Sequence, residues 1–301
     1  MSKRADAIVA TLVAAPGARL GNDCVAAARA ACPQPQSAIW LERDLALDLF
    51  FAAPLDEIGG LAAAIEAALG GRGVDAILQP SAHRRKALLV ADMDSTAIAE
   101  ECLDELAKTR GCGAEVAALT LRAMRGEMDF AAALETRAAL FAGVEVGAVL
   151  ALAARMTPSP GARTLVATMR AQGAYTALVS GGFTLFARPI AAKIGFDAVF
   201  ANELEVEAGR LTGRVRPPIQ GAPEKAGILA RLRDARGLAP EAVLAVGDGA
   251  NDLDMLAAAG LGVAYKAKPI VAALAQARLA HADLTALLFA QGFAQESFVQ
   301  R

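Results

Sequence analysis

Residues 87–96, Ala-Leu-Leu-Val-Ala-Asp-Met-Asp-Ser-Thr, decide the fold of this chain. Five apolar residues lead into Asp92 and Asp94, and two hydroxyl side chains follow. A short apolar run of this kind predicts a buried strand. In an open parallel sheet, such a strand carries the residues after it to the carboxyl edge, where ligands bind. The two aspartates are therefore expected at the edge of a sheet.

Two carboxylates this close in the chain repel each other unless a cation or a shared proton intervenes. A divalent metal is the simplest remedy, and oxygen ligands suit Mg²⁺. The competing interpretation is that Asp-Met-Asp-Ser-Thr forms only a turn or a helix cap, because short motifs also match by chance. The stretch alone leaves both interpretations open.

Polar side chains follow two further strand predictions. The run 175–179 leads into Ser180-Gly181-Gly182, where a hydroxyl and free N–H groups at a helix start would hold an anion. Gly-Gly pairs also mark ordinary turns, so this motif alone is weak. The run 243–247 leads into Asp248-Gly-Ala-Asn-Asp252, which repeats the arrangement at Asp92.

Lys225 precedes a predicted helix over 226–236. The helix dipole disfavours a cation at that end, so we interpret Lys225 as a candidate for holding an anionic ligand. A solvated surface lysine is the alternative.

The block 97–156 has a strongly helical composition and is too long for a plain crossover connection. It predicts a helical insertion over the active edge, which excludes water and selects substrate. Its helices are predicted at 100–109, 114–124, 130–140 and 146–155.

Residues 1–80 predict a separate α+β domain with the order β-α-β-β-α-β, the ferredoxin-like arrangement that small ACT domains share. The elements are predicted at 7–14, 22–31, 38–42, 45–51, 55–69 and 74–78. This domain is interpreted either as an oligomerisation or packing domain, which allows for a homodimer, or as a ligand sensor. Residues 81–86 are expected to be a linker, and 87–301 a second domain with its cap at 97–157.

The composition argues against several classes of protein. The chain has 30 Lys and Arg residues against 32 Asp and Glu residues. It therefore lacks the excess of positive charge that is typical of a nucleic-acid-binding protein. The four cysteines form no C-x-x-C pair and the chain has two histidines, so a Cys/His zinc site is poorly supported. Unpaired thiols are typical of a reducing cytoplasm.

The sequence predicts no membrane association, because no run of about 18 apolar residues occurs. Lys3 and Arg4 precede the apolar run 7–15, an arrangement that resembles a short signal peptide. Asp6 and Thr11 interrupt that pattern, and the run works equally well as a first strand. We favour the strand, and a cytoplasmic protein with it.

Four motifs resemble, in order and spacing, those of the haloacid dehalogenase superfamily of phosphohydrolases. They are Asp92-Met-Asp-Ser-Thr96, Ser180-Gly-Gly-Phe183, Lys225 and Gly247-Asp-Gly-Ala-Asn-Asp252. Within the superfamily, the chain is similar to the bacterial phosphoserine phosphatases. The matching residues are Ser95, Glu101, the segment 124–130, Arg137 and the segment 201–204. The resemblance implies a Rossmann-like parallel sheet with a helical cap.

The resemblance also implies the hydrolysis of L-phosphoserine through an aspartyl-phosphate, as the last step of serine synthesis. Asp92 is then the nucleophile, and Asp94 is the acid that protonates the leaving oxygen and the base that activates water. Mg²⁺ is expected on Asp92, on the backbone carbonyl of Asp94 and on Asp248. Asp252 is expected to brace the metal site or Lys225.

The same resemblance assigns the substrate-binding residues. Lys225, the Ser180 hydroxyl and the Gly181 N–H hold the phosphoryl oxygens, and Asn251 contacts phosphate or substrate. Glu101 is expected to bind the ammonium group of the substrate, and Arg137 its carboxylate. Glu100, adjacent to Glu101, cannot face the same pocket on a helix. Phe130 and Met124 are expected either to wall the pocket or to belong to the core of the cap.

Two other functions stay open. One is a related phosphatase or phosphotransferase for another small phosphorylated amino acid, such as phosphothreonine or phosphohomoserine. The other is an oligomeric module that senses serine without turnover. The full set of Asp92, Asp94, Lys225 and Asp248 argues against the loss of catalysis.

Overall fold

The computed structural model describes residues 6–33, 37–124 and 127–300 of the chain. They form two β-sheets, one with four strands and one with seven, together with the helices that cover them. Within this part of the chain, no helix combines the length and the apolar character that crossing a membrane requires.

The N-terminal sheet is antiparallel, with the strand order β2-β3-β1-β4. Its elements are β1 (Asp6–Ala14), α1 (Asn22–Ala31), β2 (Ser37–Glu42), β3 (Ala46–Ala53), α2 (Ile58–Leu69) and β4 (Val74–Pro80). The apolar sides of α1 and α2 share a core with the strands. The predicted β-α-β-β-α-β order is confirmed.

The second sheet has the order β11-β10-β9-β5-β6-β7-β8 and is parallel from β11 to β7, with β8 antiparallel at its edge. Its strands are β5 (Leu88–Ala91), β6 (Tyr175–Phe183), β7 (Ala198–Glu207), β8 (Arg210–Arg216), β9 (Val243–Gly247), β10 (Leu261–Tyr265) and β11 (Ala277–Leu279). All four residues of β5 are buried at its centre. The predicted fold class is confirmed.

Four of the helices between β5 and β6 make up the cap. They are α3 (Cys102–Arg110), α4 (Gly113–Met124), α5 (Phe130–Ala139) and α6 (Val146–Arg155). All four follow the predicted bounds closely. The loop between α5 and α6 adds to the β7–β8 hairpin, because Gly143 N donates to Leu211 O at 2.8 Å and Leu211 N donates to Val144 O at 2.9 Å. The hairpin therefore supports the cap.

The remaining helices flank the second sheet. They are α7 (Ala162–Ala171), α8 (Thr184–Ile194), α9 (Ala222–Asp234), α10 (Leu253–Ala257), α11 (Pro269–Leu274) and α12 (Ala286–Ala290). The predicted start of α9 at residue 226 is wrong. The helix begins at Ala222, because Glu224 accepts the Gly221 N–H at 2.7 Å and Pro223 suits a first turn. Lys225 thus lies inside the first turn.

Residues 81–86 connect the two sheets, and Arg84 contacts the parts of the chain on both sides. Arg84 donates to both carboxylate oxygens of Asp48, at 2.7 and 3.0 Å, and to the carbonyl of Ala290 at 3.1 Å. Lys86 is also buried, and its Nζ donates to the carbonyl of Glu241 at 2.8 Å. The segment therefore makes specific contacts on both sides.

Asp75 on β4 joins the two sheets at the β11 edge. Its carboxylate accepts the backbone N–H groups of Ala280, His281 and Ala282 at 3.0, 2.9 and 2.7 Å, and the residue is 5% exposed. These three donors follow the end of β11 and find their partner in the other sheet. One carboxylate thus satisfies three backbone groups at the contact.

We expect Asp75→Ala to lower the free energy of unfolding by about 3 kcal/mol, because buried N–H groups lose their acceptor. Urea denaturation followed by circular dichroism measures this loss. Asp234→Ala is the matched control, since that carboxylate is 65% exposed; it should change the stability by less than about 0.5 kcal/mol. Equal effects of the two substitutions would show that the Asp75 contact contributes nothing.

Candidate active site

The carboxyl end of β5 places two aspartates in a tight turn. Asp92 is 6% exposed and is the first residue after the strand. Asp94 is held by the N–H of Cys102, which donates to its Oδ1 at 2.8 Å. Ser95 has a φ of 54°, a conformation that is uncommon for a residue with a Cβ and frequent at functional sites. The turn aims both carboxylates at the space above the sheet.

The neighbouring strand β9 brings two more aspartates to the same place. Asp248 accepts a hydrogen bond from Thr96 Oγ1 at 3.0 Å, so the two strand ends are joined directly. Asp252 is fully buried and accepts the N–H of Gly249 at 3.0 Å. One carboxylate oxygen from each of Asp92, Asp248 and Asp252 lies within 4.8 Å of the others. This donor set fits a hard divalent cation.

Lys225 lies between two of these carboxylates. Its Nζ donates to Asp92 Oδ1 at 2.5 Å and to Asp252 Oδ1 at 2.6 Å, and the residue is 2% exposed. Burial alone would lower the pKa of Lys225, but the charges of Asp92 and Asp252 outweigh it and raise that pKa. The lysine is therefore a buried cation held between two carboxylates.

The site holds more negative charge than Lys225 offsets. Burial, and then the charge of Asp252, raise the pKa of Asp92 well above its usual range although Lys225 opposes them. Burial and Glu101 raise the pKa of Asp94 to about 6. Burial and Asp252 likewise raise the pKa of Asp248 to about 6. A bound cation would relieve this repulsion.

The phosphate-loop candidate is a bulge in β6. Strands β6 and β7 pair at Val179↔Phe200 and again at Phe183↔Asn202, so the Ser180-Gly181-Gly182 segment opposes a single residue of β7. Gly182 N donates to Ser180 Oγ at 2.9 Å. A Cβ on Gly182 would lie 3.1 Å from Ser180 Oγ and 3.5 Å from Asp94 Oδ2, so the loop faces the second aspartate closely.

Phe130, the first residue of α5, lies against this loop from the cap side. A Cβ on Gly181 would be 3.2 Å from its ring, and a Cβ on Gly221 would be 3.1 Å from it. The ring therefore rests on two glycines, one in the β6 bulge and one at the start of α9. Asp129 orders this end of the helix, because its Oδ1 accepts the N–H of Ala132 at 2.8 Å.

The adjacent glutamates of the cap face different partners. Glu101 Oε1 accepts the Ser95 hydroxyl at 2.6 Å, which brings Glu101 to the turn after β5. Glu100 accepts the backbone N–H of Thr157 with both oxygens, at 3.1 and 3.0 Å. Glu101 therefore lies beside the turn that carries the two aspartates, whereas Glu100 ties the two ends of the cap together.

Arg137 is half-buried on α5, and its Nε donates to the carbonyl of Ala133 at 3.2 Å. Burial lowers the pKa of its guanidinium, and the charges of Asp104 and Glu101 oppose that effect. Arg137 and Glu101 thus interact electrostatically within one cap.

Two predicted residues lie less centrally. Asn251 is exposed at the rim, beside Gly249. Met124 ends α4, and its side chain lies outside the described part of the chain.

Two further residues of the site lie in motifs that the sequence analysis names, the first motif and the segment 201–204, but have no predicted role of their own. Thr96 bonds to Asp248, and Asn202 bonds to the backbone of Gly181 and Gln220. A signal for Asn202 exists, since it follows the apolar run 198–201 as the other polar groups follow their strands.

The family model of the haloacid dehalogenase-like hydrolases matches residues 89–257. A phosphoserine phosphatase from Archaeoglobus fulgidus is 44% identical over 217 residues, which is 71% of this chain and 63% of that protein. The chain spans 55–63% of the length of three such curated relatives.

Two solved structures match nearly the whole chain. A HAD family hydrolase from Salmonella enterica serovar Typhi has a TM-score of 0.84 at 28% identity and covers 96% of this chain and 99% of its own. A probable phosphoserine phosphatase from Vibrio cholerae, in unliganded form, has a TM-score of 0.74 at 32% identity, with coverages of 98% and 90%.

We expect Asp248→Asn to stabilise the metal-free protein at pH 8 by roughly 1–2 kcal/mol, because it removes a partly buried charge while keeping the acceptor for Thr96. The folded-state pKa of Asp248 is raised to about 6, so its protonation stabilises the fold at low pH and that contribution is lost as the pH rises through 6. The advantage of the variant should therefore shrink between pH 8 and pH 4.

Chemical denaturation in a chelator at several pH values measures this difference. Asp254→Asn is the control, since Asp254 is exposed on α10. If Asp248→Asn is no more stable than the wild type at pH 8, crowding of carboxylates does not destabilise the site.

Proposed function

The chain belongs to the haloacid dehalogenase-like hydrolase family, and we propose that it hydrolyses O-phospho-L-serine to L-serine and phosphate. The observation that carries the proposal is the buried contact of Asp92 with Lys225 at 2.5 Å, beside a three-carboxylate cluster and beneath a cap that presents Glu101. Phosphoryl transfer depends on positioning and charge neutralisation, and this arrangement provides both.

Asp92 acts as the nucleophile. Its free carboxylate oxygen attacks phosphorus, and the bond between phosphorus and the serine oxygen breaks. Asp94 gives its proton to the departing oxygen, then takes a proton from the water that attacks phosphorus and frees Asp92. A pKa of about 6 suits a group that carries out both steps near neutral pH. The Cys102 N–H holds one oxygen of Asp94, and the other faces Gly182.

Mg²⁺ is the cofactor we propose, held by Asp92, Asp248 and the backbone carbonyl of Asp94. When bound, it supplies positive charge beside the phosphoryl group. Asp252 braces the site from behind, because its two oxygens are engaged by Lys225 and by the Gly249 N–H. Lys225, the Ser180 hydroxyl and the Gly181 N–H hold the phosphoryl oxygens, and Asn251 approaches them from the rim.

The cap selects an amino-acid substrate. Glu101 offers a carboxylate to the ammonium group, and Arg137 offers a planar guanidinium to the carboxylate. Phe130 closes the space above Gly181 and Gly221, so water is excluded during transfer. Met124 is also proposed to line the wall of the substrate pocket.

Two wider assignments accompany this function. We assign residues 1–80 to an ACT-like domain joined through 81–86 to the phosphatase domain 87–301, which the separate apolar core of the N-terminal sheet supports. The four cysteines of the chain are free thiols, which supports a reducing cytoplasm.

Phosphate release from a panel of small phosphomonoesters, with Mg²⁺ or with a chelator, tests the function. We expect Mg²⁺-dependent turnover with phosphoserine preferred over phosphothreonine, phosphohomoserine and p-nitrophenyl phosphate. Asp92→Asn should lower kcat by at least about 1000-fold, because the amide is no nucleophile. Circular dichroism checks that the variant is folded. Turnover retained in this variant would remove Asp92 from the nucleophile role, and absence of wild-type turnover on the whole panel would refute the function.

We expect Arg137→Ala to lower kcat/KM for phosphoserine by roughly 100-fold, because a bidentate ion pair with the substrate carboxylate is lost. The same variant should lower kcat/KM for p-nitrophenyl phosphate, which has no carboxylate, by no more than about threefold. Arg155→Ala, at an exposed arginine of the same cap, is the control and should change neither value. Equal losses on both substrates would contradict a role in reading the carboxylate.

A further inference from the structure

We propose that Asn202 is a positioning residue for phosphoryl transfer, which aligns the segment that carries Ser180 with the segment that carries Lys225. The proposal rests on the proposed function, since it concerns how Ser180 and Lys225 hold the same phosphoryl group. Asn202 lies on β7, is 1% exposed and is outside the set of residues that touch the substrate in that mechanism.

The side-chain amide of Asn202 joins two backbone segments. Its Nδ2 donates to Gly181 O at 2.9 Å and to Gln220 O at 3.0 Å, and its Oδ1 accepts the Gln220 N–H at 2.6 Å. Both amide hydrogens and the oxygen are therefore used. The reverse orientation would place the oxygen against two carbonyls, so the network itself determines which way the amide points.

The bulge in β6 explains why an amide is needed here. Between the paired positions Val179↔Phe200 and Phe183↔Asn202, the ladder is interrupted at Ser180-Gly181-Gly182. A bulge leaves backbone groups without their ladder partners. The Gly181 carbonyl receives its hydrogen bond from Asn202 instead, and the bulge is thereby fixed in one conformation.

This contact also orients the Ser180 hydroxyl. The peptide between Gly181 and Gly182 is planar, so fixing the Gly181 carbonyl points the Gly182 N–H in the opposite direction. That N–H donates to Ser180 Oγ at 2.9 Å. Asn202 therefore acts on the serine oxygen through one rigid peptide plane.

The second contact positions Lys225. Asn202 holds both backbone groups of Gln220, and the next residue, Gly221, is the N-cap of α9. The Gly221 N–H bonds to Glu224 at 2.7 Å, while the Gly221 carbonyl accepts the Lys225 N–H at 3.3 Å. The first turn that carries the lysine is thus built directly on the peptide that Asn202 holds.

If Asn202 had only a general structural role, its loss would lower stability without weakening phosphate binding in particular. The experiment therefore needs a matched control. Thr176 provides it at the other end of β6. It is fully buried, and its hydroxyl joins β6 to the start of β7 through Asp197, donating at 2.9 Å and accepting at 3.2 Å. Thr176→Val removes a buried polar link between the same two strands at the edge opposite the active site.

The experiment compares Asn202→Ala, Asn202→Asp and Thr176→Val with the wild type. Asn202→Asp keeps the acceptor for the Gln220 N–H and loses both donors, so it decides the question if the alanine variant does not fold. The measurements are kcat and KM for phosphoserine, inhibition by inorganic phosphate and by L-serine, the melting temperature, and calorimetric binding of phosphate in the presence of Mg²⁺.

We expect both Asn202 variants to lower kcat/KM by roughly 10- to 100-fold, the range for groups that orient catalytic residues. Phosphate should bind about tenfold more weakly. Inhibition by L-serine should stay unchanged, because serine has no phosphoryl group for Ser180 and Lys225 to hold. Thr176→Val should lower the melting temperature and leave these constants as they are.

Two results would overturn the proposal: Asn202 variants that behave like Thr176→Val, or equal losses of phosphate and serine binding. If the wild type hydrolyses no phosphomonoester, the proposed function fails separately, and calorimetric phosphate binding alone decides the role of Asn202. Unchanged phosphate affinity in that experiment would also overturn it.

Discussion

The buried ammonium group of Lys225 is the interaction on which the site depends. It shares short hydrogen bonds with Asp92 and Asp252, and all three residues are almost fully removed from water. Taking such charges out of water costs several kcal/mol per ion, so the arrangement exists only where the geometry is complete. Neighbouring strands β5 and β9, with α9 beginning beside them, provide that geometry.

The same site holds carboxylates beyond those that the lysine neutralises. Asp94 and Asp248 have raised pKa values because burial and neighbouring acids disfavour their charged forms. The protein thus keeps a local arrangement that opposes its own stability, which is common where charges are prepared for a ligand. The N-terminal sheet is joined to the rest of the structure by Asp75, which accepts N–H groups that follow β11, and by Arg84, which donates to Asp48 and to the carbonyl of Ala290.

Cap and core meet through contacts that only small residues permit. Phe130 packs on Gly181 and Gly221, and these glycines belong to the two segments that Asn202 links. The β7–β8 hairpin extends from Asn202 to the loop between the cap helices, where it adds backbone hydrogen bonds. The phosphate loop, the lysine helix and the cap are therefore parts of one connected structure.

Local patterns in the sequence determine much of this molecule. Asp92, Ser180 and Asp248 each follow a short apolar run, and the strand-end rule for parallel sheets places them together without knowledge of their partners. Helical composition and loop length likewise predict the cap. The tertiary structure alone decides which carboxylates share Lys225, which backbone group Glu100 holds, and which peptides Asn202 joins. These contacts link residues far apart in the chain, and they depend on strand order, register and one bulge, which local periodicity does not encode.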